Sequence, residues 1–154
     1  MELNLEQIIR EYIDKSIHMS FATAKDNKPW VCELHFTYDD DLNLYFRSLK
    51  TRRHSMEIAE NPFVSGNIVK QHAPGESPQG IYFEGTAKLC DDPLEFQSIY
   101  EHFKRRFNSV ESIIEEAKRE DGHQFYKVAV TDWYAFGKFG GDSNEKYHLS
   151  WGKN

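Results

Sequence analysis

Residues 44–65 read Leu44-Tyr45-Phe46-Arg47-Ser48-Leu49-Lys50-Thr51-Arg52-Arg53-His54-Ser55-Met56-Glu57-Ile58-Ala59-Glu60-Asn61-Pro62-Phe63-Val64-Ser65. Three elements are legible in them. Residues 42–48 are rich in strand formers. Residues 51–60 form a short helix, which Asn61-Pro62 stops, because proline lacks a donor and clashes with the preceding turn. Residues 63–70 are strand-like again. Where the first strand ends and the helix begins lie Arg47, Lys50, Arg52 and Arg53, together with His54 and the hydroxyls of Ser48 and Thr51.

That local charge stands against the rest of the chain. The 154 residues carry a formal net charge of -6, with 39% hydrophobic and 14% aromatic residues. The length fits one domain, 1–154, with a core of its own. An acidic chain lacks the broad basic surface that nucleic-acid binding needs. The basic segment is therefore not explained by composition. Amides at a helix N-terminus are unpaired and partly positive. With Arg52, Arg53 and the Thr51 hydroxyl they would make a seat for a phosphate. The competing reading is a solvated basic turn whose surface ion pairs contribute about 0–1 kcal/mol each. Its place at a strand-to-helix junction favours the anion seat.

Upstream, apolar residues recur at helical period through residues 3–15. Strands follow at 17–23 and 30–38, separated by the turn Asp26-Asn27-Lys28-Pro29. Asp39-Asp40-Asp41 reverses the chain into strand 42–48, giving an antiparallel meander. Downstream, 70–80 is a loop. Residues 81–89 alternate, with Ile81, Phe83, Gly85, Ala87 and Leu89 on one face. Asp91-Asp92-Pro93 opens a helix to Phe107, and a further helix runs from Asn108 or Ser109 to about Arg119. One or two strands over 125–138 (125–131 and 133–138), a loop at 140–144 and a short aromatic tail complete the chain. The expected architecture is mainly β: about six antiparallel strands in a closed or partly closed barrel, with helices added between strands and helix 93–107 over one opening.

No apolar run approaches a membrane span, and the acidic start, Met1 to Glu6, is unlike a signal peptide. Cys32 and Cys90 form no Cys-x-x-Cys pair. Both read as free thiols in a reducing compartment, so a cytoplasmic location is expected. The seven histidines have no metal-ligand spacing, and no metal site is expected. No Ser-His-Asp or Cys-His set indicates nucleophilic catalysis, and no catalytic residue is assigned.

The order Leu44–Ser48, Lys50–His54, Asn61–Ser65 and then Gln79-Gly80-Ile81-Tyr82-Phe83-Glu84-Gly85-Thr86-Ala87 resembles the pyridoxamine 5'-phosphate oxidase-like flavoproteins. The likeness covers roughly residues 17–107. It implies a split-barrel homodimer with FMN between the subunits. By position, Arg52, Arg53 and Lys50 would hold the phosphate, with Ser48 and Thr51 assisting. Trp30, Val31 and Cys32 would lie along the flavin ring. His54 stands where the family motif has a phosphate-binding lysine. Gln79 is one position from the family's flavin-contacting glutamine, and Gly80 takes that place. The tail ending in Trp151 has no arginine after it, unlike the oxidase segment in which a tryptophan and an arginine frame the flavin. The resemblance implies a flavin-dependent oxidoreductase acting on a small molecule. A non-catalytic flavin- or nucleotide-binding module is the first alternative. A haem-binding or haem-degrading protein with His148 or His123 as iron ligand is the second.

Overall fold

The computed structural model describes residues 3–152; Met1 and Glu2, read above with the acidic start, lie outside the described residues. Helix α1 spans Leu5–Asp14, and the Asn4 side chain caps it by accepting from the Gln7 amide. Strands β1 (His18–Lys25) and β2 (Lys28–His35) form a hairpin. Its two-residue turn sets Asp26 and Asn27 at φ of 52° and 62°. Those residue types tolerate the left-handed region, and such turns match strand twist. Phe36 interrupts the expected strand 30–38 by donating its amide to Ile17. A two-residue strand, β3 (Thr37–Tyr38), follows, and β4 (Leu44–Ser48) pairs with it. Asp39 fixes this reversal: its carboxylate accepts from the amides of Asp41 and Asn43 and from the Tyr45 hydroxyl.

Helix α2 (Arg53–Glu60), β5 (Phe63–Ile68) and β6 (Gly80–Leu89) come next. A single 3₁₀ turn, Pro93–Glu95, leads into α3 (Phe96–Phe107), and a shorter α4 (Ser112–Ala117) follows. The chain closes with β7 (Gln124–Gly137) and β8 (Glu145–Ser150).

The sheet runs β2-β1-β5-β6-β7-β4-β3, all antiparallel, with β8 beside the second half of β7. Among the described residues it has eight strands, against about six expected. The extra ones are β3 and the tail, which pairs as β8. The stretch 125–138, expected as one or two strands, is one, β7. The polar pair Thr131-Asp132 marks a bulge, where the register against β6 shifts between Glu84 and Gly85. The curled sheet is a split barrel: its ends, β2 and β3–β4, approach without pairing.

Inside it, Phe21, Phe46, Phe83, Tyr126 and Trp133 are almost wholly buried, and α1 adds Ile9, Tyr12 and Ile13. The 93–107 helix does not cover this opening. Its residues Phe96, Ile99, Tyr100 and Phe103 pack with Tyr45 and Phe125 in a separate core. Tyr45 and Phe125 alternate with the inward Phe46 and Tyr126, so they point to the outer face of the sheet. No helix among the described residues is long and apolar enough to cross a membrane.

Candidate functional site at the split of the barrel

The basic segment sits at the split. β4 ends at Ser48, which is buried, and a turn closed by the Arg52 amide on the Leu49 carbonyl leads into α2. Arg52, not Thr51, is the N-cap residue. It has no side-chain oxygen, so no side-chain cap bonds the first-turn amides. The Arg52 guanidinium is exposed and, among the described residues, has no ion pair or side-chain hydrogen bond. Thr51 is also exposed.

The other predicted cations are engaged. Lys50 turns to Glu120, 2.8 Å away. Arg53 donates from Nε to Glu57 at 2.7 Å, and its guanidinium lies 4.3 Å from the centre of the Trp30 ring. Glu57, which sequence reasoning missed, is buried and also accepts from Thr23 at 3.0 Å. The Arg53 hydrogen bond is the main reason its carboxyl titrates below the usual range.

His54 points inward and is 7% exposed. Its Nε2 lies 2.8 Å from Ser48 Oγ and its Nδ1 3.5 Å from Cys32 Sγ. Ser55 donates to Ser48 at 3.2 Å. Burial, helped by the charge of Arg52, lowers the His54 pKa and keeps the ring neutral. Burial also raises the Cys32 pKa, which keeps it a thiol. Cys32, His54 and Ser48 form a polar bridge across the split between β2 and β4. Of the remaining β2 residues, Trp30 is half-exposed and Val31 points outward at 59% exposure.

Gln79 and Trp151 are not brought to this point within one chain. Ser48 pairs with Gln124 at the start of β7, whereas Gly80, next to Gln79, pairs with Phe136 near its end. That separation is roughly 40 Å of strand at about 3.3 Å per residue. Trp151 donates from Nε1 to the Asp41 carbonyl at 2.7 Å and packs on the main core.

A groove of about 490 Å³ opens on the other side of the β2 edge, between Glu33, Leu34 and His35, Arg47 of β4, and Phe107 and His123. Glu116 holds two of its lining residues, Arg47 and His123. It takes Arg47 at 2.5 Å and His123 Nδ1 at 2.8 Å. The sequence could not show this trio, because Arg47 is on β4 whereas Glu116 is on α4 and His123 is in the loop after it. Two further grooves, of about 530 and 470 Å³, lie on the outer sheet face around Ala22, Val31, Phe63, Ser65 and Tyr82.

The family model described as pyridoxamine 5'-phosphate oxidase matches residues 5–137. The chain belongs to that family. A search of curated protein sequences found no match. Among solved structures, the chain is similar to HutZ, the heme storage protein from Vibrio cholerae, with TM-score 0.70 and 19% identity over 90% of this chain and 98% of that one. It is similar to an FAD-binding protein from Mesorhizobium loti, with TM-score 0.67 and 18% identity over 87% and 93% of the two chains. Campylobacter jejuni ChuZ gives TM-score 0.76 and 15% identity; the match covers 97% of this chain but 61% of ChuZ. At such identities the likeness is one of fold.

Proposed function

We propose that this protein binds FMN at the split of the barrel and acts as a flavin-dependent oxidoreductase on a small molecule. The observation that carries this reading is the uncapped start of α2 with the unpaired Arg52 beside it, in a chain of net charge -6. Those groups fit a phosphate monoester. Thr51 stands ready to assist, while Trp30 and Cys32 line the approach along β2. The neutral Cys32 thiol and His54 ring put no charge beside a flavin. A bound flavin supplies the hydride and electron chemistry; the chain's own residues bind and orient it.

The active form in this reading is a homodimer. Val31 and Phe63 are 59% and 71% exposed on the outer sheet face, an apolar area that a second copy would cover. A partner copy would also bring Gln79 to a site it cannot reach within its own chain. Family membership and the FAD-binding neighbour support flavin over other nucleotides.

The test is direct. Protein purified or reconstituted with FMN should be yellow and should bleach on mixing with NADH or NADPH in a stopped-flow cell. Tight flavin binding with no bleaching by either nicotinamide would leave a binding module. Failure to bind FMN at all would end the reading.

One observation favours a second reading, haem binding. His123 gives Nδ1 to Glu116 and leaves Nε2 for a metal, the pairing that orients a ligating histidine. His148 is arranged similarly, with Nε2 on Asp132 at 2.8 Å. A Soret band on adding hemin, lost in His123→Ala, would support haem. Its absence would leave FMN alone.

A further inference from the structure

Two neighbouring arginines at the start of α2 have unlike surroundings. Arg53 belongs to a closed ring of side chains. Trp30 and Thr23 are cross-strand partners in the β1–β2 hairpin. Thr23 donates to Glu57 at 3.0 Å, Glu57 accepts from Arg53 at 2.7 Å, and Arg53 stacks on Trp30 at 4.3 Å. The ring ties both strands of the hairpin to α2. The Glu57 side chain is 7% exposed, so this carboxylate is held in place rather than waving in solvent. Arg52, one residue earlier, has no such ties.

Resting on the flavin reading above, we infer that the two arginines divide the work: Arg52 holds the phosphate monoester, and Arg53 is a positioning residue that clamps strand β2 to α2 and so sets the width of the cleft. Two physical arguments lead there. A guanidinium already paired with a carboxylate offers a dianion little net charge, and the nearby carboxylate repels it. A planar guanidinium stacked on indole also gains from staying where it is, since cation–π contacts contribute about 0.5–2 kcal/mol. β2 is bonded on one side only, to β1. Side-chain ties are therefore what fix its other edge. The Trp30–Arg53 stack and the Cys32–His54 contact are two such ties, on alternate residues of one face.

The experiment compares FMN with riboflavin, which lacks only the phosphate. Full-length wild type, Arg52→Ala, Arg53→Ala, Arg53→Lys and Trp30→Ala are titrated with each, and flavin fluorescence quenching is read. Wild type should prefer FMN at least tenfold. Arg52→Ala should abolish that preference and leave riboflavin affinity unchanged. Arg53→Ala, Arg53→Lys and Trp30→Ala should weaken both flavins by a similar several-fold factor and keep the preference. Lysine should not rescue, because it restores charge but not the planar stack. Loss of the FMN preference in Arg53→Ala with riboflavin unchanged, or its rescue by lysine, would overturn the assignment. If wild type shows no preference for FMN, the phosphate seat itself falls, and the role of Arg52 with it. The clamp is then judged without ligand, by a double-mutant cycle of Arg53→Ala and Trp30→Ala in urea unfolding. Coupling between the two supports it, and strict additivity overturns it.

Discussion

Nε2 of His54 lies 2.8 Å from Oγ of Ser48, so the first turn of α2 is bonded to the last residue of β4. Both residues are nearly buried. The imidazole, kept neutral by burial, links the two elements.

The pH dependence of stability follows from that burial. The His54 pKa is lowered from its ordinary 6.5, chiefly by desolvation. The unfolded chain then binds a proton that the folded chain refuses. Stability is full above about pH 6.5 and falls as the pH drops through that value towards the folded pKa. Burial lowers His102 as well, with the same sign. Urea midpoints at pH 7.5 and 5.5 should differ, and His54→Asn should reduce the difference. An equal difference in the variant would contradict this account.

The outer core should be independently sensitive. Phe125 is fully buried and meets the rings of Phe96 and Phe103 at 5.4 and 5.6 Å. Phe125→Ala should cost about 3–5 kcal/mol. Leu94, 90% exposed, is the control: its alanine variant should stay within about 0.5 kcal/mol of wild type. Chemical denaturation reads both.

Gly85 stands at the bulge between β6 and β7. A Cβ there would meet the Ala129 carbonyl oxygen at 2.2 Å, and that atom belongs to the backbone. Gly85→Ala should destabilise by about 1–3 kcal/mol. Gly141, with open space around it, should accept alanine without a packing penalty. Thermal melts of the two variants make the comparison.

Most elements were legible because period and punctuation are local. The alternation in 81–89 gave β6, with Ile81, Phe83, Gly85 and Ala87 all buried as expected. Pro62 and the Asp26-Asn27 turn set boundaries through their own backbone preferences. What failed depended on partners distant in sequence. Thr131-Asp132 left one strand or two open, because polarity does not tell a bulge from a break. The tail was legible only as short and aromatic, since its pairing as β8 depends on β7. The 93–107 helix carried a readable apolar stripe, but nothing in the stripe said which face of the sheet it would meet. At the site, the chain advertised a cluster of cations and not their allegiance. Glu57 claimed Arg53 and Glu120 claimed Lys50, leaving Arg52.

The unbonded margin of β2 has a consequence for the protein's life in a crowded solution. Eight residues with one edge bare form a template on which another extended chain can register amide by amide. This margin carries its own deterrents: Pro29 withholds a donor, and Lys28 and Glu33 make a dry, zippered contact costly. Replacing them with β-branched apolar residues would turn the seam of the barrel into a nucleus for fibrous assembly.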